Sequence, residues 1–138
     1  MAFRKQQKIE LIKSVPLFAG LSKTELGRVA QLADELGVPE GKELIAEGDR
    51  GRQFFVLVEG SATVRRRGRK VNTMGPGDFF GEIALVDNIP RTATVRARSA
   101  CLLLVLARQD FLDVVRASPA LRALFERAAH ARRRDPRA

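Results

Sequence analysis

The sequence predicts a mainly β domain with helices on both flanks, an antiparallel barrel or sandwich introduced and closed by α-helical segments. Three observations carry this expectation. From Val38 to Ala107 the chain runs through short apolar stretches separated by glycine: ELIAEGDRG, QFFVLVEG, SATVRRRGRK, VNTMGPGDFFGE, TATVRARS and CLLLVLA. Short strands at regular spacing, with a turn signal between each pair, are the pattern of a barrel or sandwich. On either side the apolar residues recur instead at helical spacing. Finally, 138 residues with 45% hydrophobic content supply one sizeable core and no second folded domain.

Taken in order, KIELIKSV places apolar residues on one face before a break at Pro16. Ser22 and Glu25 make a capping box, in which a hydroxyl and a carboxylate satisfy the first unpaired amides of a helix running to about Ala33. Leu26, Val29, Ala30 and Ala33 form its apolar face, and the first forty or so residues read as helical and introductory. Gly48, Gly51, Gly60, Gly68, Gly75 and Gly77 mark the turns of the β region, several of them needing positive φ. After Ala107 the helical period returns in RQDFLDVVRA and, beyond Ser118 as a cap and Pro119 in the first turn, in ALRALFERAAHARRR. Leu121, Leu124, Phe125 and Ala128 form a stripe that either packs on the barrel or serves as a ligand lid or dimer seam. The terminal RRRDPRA is expected to fray. The whole is read as one domain over residues 1–138, with helices over about 4–36, the β region over about 37–107 and closing helices over about 108–134.

Composition narrows the function classes. The longest apolar run, Ala100 to Ala107, is eight residues, against about 20 for a spanning helix, so a soluble protein is expected. The charged start, MAFRKQQK, lacks the apolar core and cleavage site of a secretory signal, which places the protein in the cytoplasm. The lone Cys101 in ACLLLVLA has no partner for a disulfide and reads as a small buried hydrophobe. Metal catalysis needs clustered ligands, and His130 on the last helix is the one histidine of the chain, so neither a metal site nor a catalytic residue is expected. The charge of +9 concentrates in Arg65 to Lys70 and in Arg132 to Arg134. Solvated surface is the ordinary reading of such clusters. Contact with nucleic acid or a membrane is the alternative, and no interleaved aromatic residue supports base stacking.

The segment from Phe80 to Val95 carries the chemistry. A Gly-Pro-Gly turn precedes Gly81-Glu82-Ile83-Ala84-Leu85, a composition suited to one short helical turn. Gly81 allows close backbone approach, and the exposed amides of such a turn attract an anion. Arg91 follows, with a planar guanidinium able to hold two oxygens of one phosphate, and Pro90 stiffens the loop presenting it. Glu82 would repel a bound anion unless turned toward hydroxyl donors, which a ribose supplies.

At these residues the chain resembles the cyclic-nucleotide-binding domain family, which includes regulatory subunits of cAMP-dependent kinase, cyclic-nucleotide-gated channels and catabolite activator protein. The family cassette F-G-E-(I/L)-A-L, a spacer and P-R-(A/T/S)-A-x-V is matched by Phe80-Gly81-Glu82-Ile83-Ala84-Leu85 and Pro90-Arg91-Thr92-Ala93-Thr94-Val95. VPEGKELIAEGDRGRQFFVLVEGSATV resembles the first roll strands and LARQDFLDVV the hinge helix. The resemblance implies an eight-stranded antiparallel, jelly-roll-like β-roll with an N-terminal helical bundle and two C-terminal helices. It implies cAMP or cGMP as ligand, with no further cofactor, held by a cassette comprising Phe80, Gly81, Glu82, Ile83, Ala84, Arg91, Thr92 and Ala93. The amides of Ile83 and Ala84 and the side chain of Arg91 hold the cyclic phosphate, and Glu82 takes the ribose 2′-hydroxyl. Leu85 and Phe111 match a pair whose repacking swings the hinge helix. Thr92 falls where threonine often accompanies cGMP, while the expected apolar walls suit adenine, so cAMP is favoured. The implied role is regulatory, not enzymatic: ligand shifts the two C-terminal helices and alters the surface offered to a protein effector. A chain that keeps the fold and binds partners through its basic surface is the alternative.

Overall fold

The structure, a computed structural model, describes residues 5–81 and 90–134. Two helices, α1 (Lys5–Ser14) and α2 (Lys23–Leu32), flank a 3₁₀ turn at Pro16–Phe18. Eight strands follow: β1 (Asp34–Val38), β2 (Glu43–Ile45), β3 (Gln53–Glu59), β4 (Ala62–Arg66), β5 (Arg69–Met74), β6 (Phe79–Phe80), β7 (Thr94–Ala97) and β8 (Cys101–Ala107). The helices α3 (Arg108–Ala117) and α4 (Pro119–Arg134) close the described chain. The strands form two four-stranded sheets of order β1-β8-β3-β6 and β2-β7-β4-β5, antiparallel throughout. This is the eight-stranded β-roll with helices at both ends that the sequence predicts.

The central strands explain why QFFVLVE and CLLLVLA read as unbroken apolar runs. Successive side chains of a strand point to opposite faces, and here both faces are covered. Phe55, Leu57, Leu103 and Val105 point into the roll, toward Val64 and Val95 of the second sheet. Phe54, Val56, Leu104 and Leu106 point outward and are buried by Ile12, Val29, Phe111 and Phe125 from the four helices. The roll therefore has an inner core between its sheets and an outer core under its helices.

The capping box at Ser22 forms as expected: Glu25 N donates to the Ser22 hydroxyl at 3.2 Å and Ser22 N donates to Glu25 Oε1 at 2.9 Å. Ser118 caps α4 by accepting from Leu121 N at 3.3 Å. In the stripe of α4, Leu121 and Phe125 are buried in the outer core while Leu124 is exposed, so the stripe packs on the domain. One expectation needs correction. Residues 34–36 belong to a strand, not to the introductory helices: Asp34–Val38 pairs along β8, with Leu36 opposite Leu103 and Val38 opposite Cys101. Its sequence, DELGV, offers only one apolar alternation, and the pairing comes from the strongly apolar β8 beside it. The helix α4 ends at Arg134.

Candidate functional site

A cleft of about 270 Å³ opens at one end of the roll, lined by Glu43, Leu44, Ile45, Ala46, Asp49, Arg50, Arg52, Gln53 and Arg91. Its construction begins in the backbone. β2 ends at Ile45 and the chain turns back, with Asp49 N donating to Ala46 O at 3.1 Å. The turn is then fastened to the strand-like Pro90–Arg91 segment from both sides: Gly48 N donates to Arg91 O at 2.9 Å and Arg91 N donates to Asp49 O at 2.7 Å. A β-bridge between Arg50 and Pro90 completes the clamp. Both backbone polar groups of Arg91 are thus fixed before its side chain is considered.

Arg91 is only 6% exposed. Burying a cation is costly unless its donors are met. Here Nη1 donates to Gly81 O at 2.8 Å and Nη2 to Gln53 O at 2.6 Å. The two carbonyls belong to the residue just past β6 and to the start of β3, so the guanidinium bridges the mouth of the roll. A guanidinium carries five donors in a fixed fork, and these carbonyl contacts occupy two of them.

Gly81 makes this arrangement sterically feasible. Its φ is +96°, and a Cβ built there would lie 2.7 Å from Arg91 Nη1 and 3.0 Å from Gln53 O. Both the backbone conformation and the approach of the guanidinium therefore require glycine. The preceding Phe80 anchors the segment in the inner core, its ring stacked on Phe55 at 5.0 Å between centroids and 11° between planes.

Of the residues the sequence singles out, Phe80, Gly81, Arg91, Thr92 and Ala93 all stand at this end of the roll, with Ala93 buried and Thr92 half-buried as the chain enters β7. The structure joins Gly81 and Arg91 across ten intervening bonds of sequence through a direct hydrogen bond. Glu82, Ile83, Ala84 and Leu85 lie outside the described residues. Phe111 is not at the cleft: it is 1% exposed in the outer core, 4.7 Å from the ring of Phe54 and 4.9 Å from that of Phe125. The sequence reading missed the opposite wall. Asp49 and Gln53 act on Arg91 through their carbonyls, which any residue carries, and only the turn signal at Gly48 hinted that chain would return there. Among the described residues no group of His, Cys, Asp and Glu is placed to hold a metal ion, and no helix is long and apolar enough to cross a membrane.

The structure is thus an antiparallel roll with an almost buried arginine at its mouth, fixed beside a cleft by the carbonyls of Gly81 and Gln53. The profile of the cyclic nucleotide-binding domain matches residues 35–118, and the chain belongs to that family. A cAMP-dependent protein kinase regulatory subunit of Yarrowia lipolytica is 37% identical over 113 residues, which cover 80% of this chain and 30% of that protein. A cyclic nucleotide-gated potassium channel of Rhizobium etli is 35% identical over 127 residues, covering 92% of this chain and 36% of the channel. Among solved structures, the regulatory domain of Toxoplasma gondii protein kinase A crystallised with cAMP superposes with a TM-score of 0.82 and 28% identity, over 92% of this chain and 50% of that one. The chain thus spans about a third of the curated relatives described. What the family shares is a regulatory ligand-binding domain.

Proposed function

We propose that this chain is a cAMP sensor whose ligand sits in the cleft at Arg91 and whose output is a change in the position of α3 and α4. One observation carries the reading: the guanidinium of Arg91 is held, almost buried, at the wall of a cleft by the carbonyls of Gly81 and Gln53. A preorganised cation in a partly dehydrated site attracts a phosphate strongly, by about 4 kcal/mol for charges about 4 Å apart at an effective dielectric of about 20. The amides at Ile83 and Ala84 complete the phosphate cradle, and Glu82 accepts from the ribose 2′-hydroxyl. Leu44, Ile45 and Ala46 give the cleft an apolar wall, which suits a purine face. The names of the Yarrowia relative and of the Toxoplasma structure, both of which specify cAMP, support the choice of base. In this reading Leu85 and Phe111 act as the hinge pair through which ligand moves the C-terminal helices, and a protein effector reads the altered surface.

Calorimetric titration with cAMP and with cGMP tests the reading, and suits a chain without Trp or Tyr. The expected result is saturable binding of cAMP, tighter than cGMP, and near-complete loss of both in Arg91→Ala. Equal heats for wild type and Arg91→Ala would overturn it.

A further inference from the structure

The tip of the β4–β5 hairpin is built at a cost that the ligand site does not explain. The two strands reverse through Arg67 and Gly68, whose φ values are 53° and 77°. Positive φ at both central residues is the type I′ reversal, where Asn-Gly is favoured. Arg67 is the one non-glycine residue with positive φ among the described residues, a conformation disfavoured for any side chain with a Cβ. The next two rungs set Arg66 opposite Arg69 and Arg65 opposite Lys70, and like charges directly opposite destabilise a strand pair. No acidic residue occurs in the sequence between Glu59 and Asp78. The Glu47 carboxylate reaches the tip: Oε1 accepts from the backbone N of Arg67 at 3.0 Å, which pins the turn in its strained form. A sheet edge can be guarded by a single charge. Five cations in six residues, four of them exposed and two rungs setting cation against cation, exceed that need.

We propose that this tip docks on the surface of a bilayer containing anionic phospholipid. Four of its five cations are arginine, whose fork binds two oxygens of a phosphate at once. The shape of the tip selects a flat partner. Arg65 still pairs with Thr94 of β7, so the hairpin stands free for only about two residues, or about 7 Å at about 3.3 Å per residue. The major groove of DNA is about 8.5 Å deep, and the hairpin carries no aromatic side chain to stack on an unpaired base. A blunt, compact cluster of arginines suits a plane of headgroups, where cations near the surface act additively.

Sedimentation of the full chain with phosphatidylcholine vesicles, with or without phosphatidylserine, tests the proposal. Binding is expected only with phosphatidylserine, and its loss is expected when salt rises from about 0.1 M to about 1 M, as the screening length falls from about 10 to about 3 Å. The triple variant Arg65→Gln, Arg67→Asn, Lys70→Gln should bind about 100-fold more weakly, at about fivefold per cation. Arg67→Asn alone should lose about fivefold while melting at a higher temperature, because it supplies the residue that the turn prefers; a purely structural hairpin would show the second effect without the first. Equal sedimentation with both vesicle types, full binding by the triple variant, or tighter binding of duplex DNA at matched phosphate concentration would each overturn the assignment.

Discussion

Replacing Gly81 by alanine tests whether the glycine exists to admit the guanidinium of Arg91, and the structure sets the size of the effect. At φ +96° an alanine is strained by about 1–2 kcal/mol. Its Cβ would also stand 2.7 Å from Arg91 Nη1, against an ordinary contact of about 3.5 Å. The guanidinium must withdraw by nearly 1 Å, giving up its bond to Gly81 O, a charged hydrogen bond worth about 1.5–3 kcal/mol. The expected destabilisation is therefore about 3–5 kcal/mol, or a melting temperature lower by about 10 °C or more for a domain of this size. Ligand binding should suffer less. Moving a phosphate–guanidinium pair from about 4 to about 5 Å at a dielectric of about 20 loses about 0.8 kcal/mol, roughly fourfold in affinity. Thermal melting and calorimetry of Gly81→Ala, Arg91→Ala and the double variant make a cycle. With Arg91 gone, only the backbone strain and the crowding of Gln53 O remain, so the two substitutions should be coupled by about 1.5–3 kcal/mol. A cycle that is additive to within about 0.5 kcal/mol would refute the claim that Gly81 is shaped by the arginine.

Phe111→Ala should cost about 3–5 kcal/mol in denaturant unfolding, because it empties a ring site in the outer core among Phe54 and Phe125; a change below about 1 kcal/mol would mean that the ring is not packed as described. Glu25 titrates below its ordinary value of 4.5, held down first by the Ser22 backbone amide and then by the hydroxyls of Ser118 and Ser22. A carboxylate whose folded pKa is depressed stabilises above its unfolded pKa and loses that contribution as pH falls through the folded one. The melting temperature of wild type should therefore exceed that of Glu25→Gln at neutral pH and converge with it as pH falls below 4.5; a gap that persists into strong acid would refute it. Glu82→Ala should abolish the preference for cAMP over 2′-deoxy-cAMP in calorimetry, a contact worth about 1.5–3 kcal/mol, and an undiminished preference would show that Glu82 does not read the ribose.

The fold was legible where composition and geometry coincide. The runs QFFVLVE and CLLLVLA, the caps at Ser22 and Ser118, and the positive-φ glycines Gly48, Gly60, Gly68 and Gly77 each specify their structure locally, and each formed. Asp34–Val38 was not legible, because its strand state is imposed by the neighbouring β8 and not by its own alternation. The same division runs through the site. Gly81 and Arg91 announce themselves by residue type, whereas the wall that positions Arg91 is made of the carbonyls of Asp49 and Gln53 and the amide of Gly48. Backbone groups leave no mark in a sequence, so a cradle built from them becomes visible only when the chain is folded.

The two residues of β6 show why this small site is set into so large a packed frame. Phe80 turns into the inner core against Phe55, while its neighbour Phe79 turns outward to meet Phe54 at 5.8 Å and Phe125 of α4 at 5.6 Å between ring centroids. Gly81 follows at once, with Arg91 hydrogen-bonded to its carbonyl. Three consecutive residues, Phe79 to Gly81, therefore touch the inner core, the C-terminal helix and the buried arginine at the cleft. Packed interiors resist continuous deformation, so displacement of Gly81 must be taken up by one of these two aromatic contacts. Phe80 is held by a stacked ring inside a closed roll. Phe79 is half-buried on the outside of the roll and meets Phe125 of α4, so in the proposed reading it is through this outer contact that a displacement of Gly81 reaches α4.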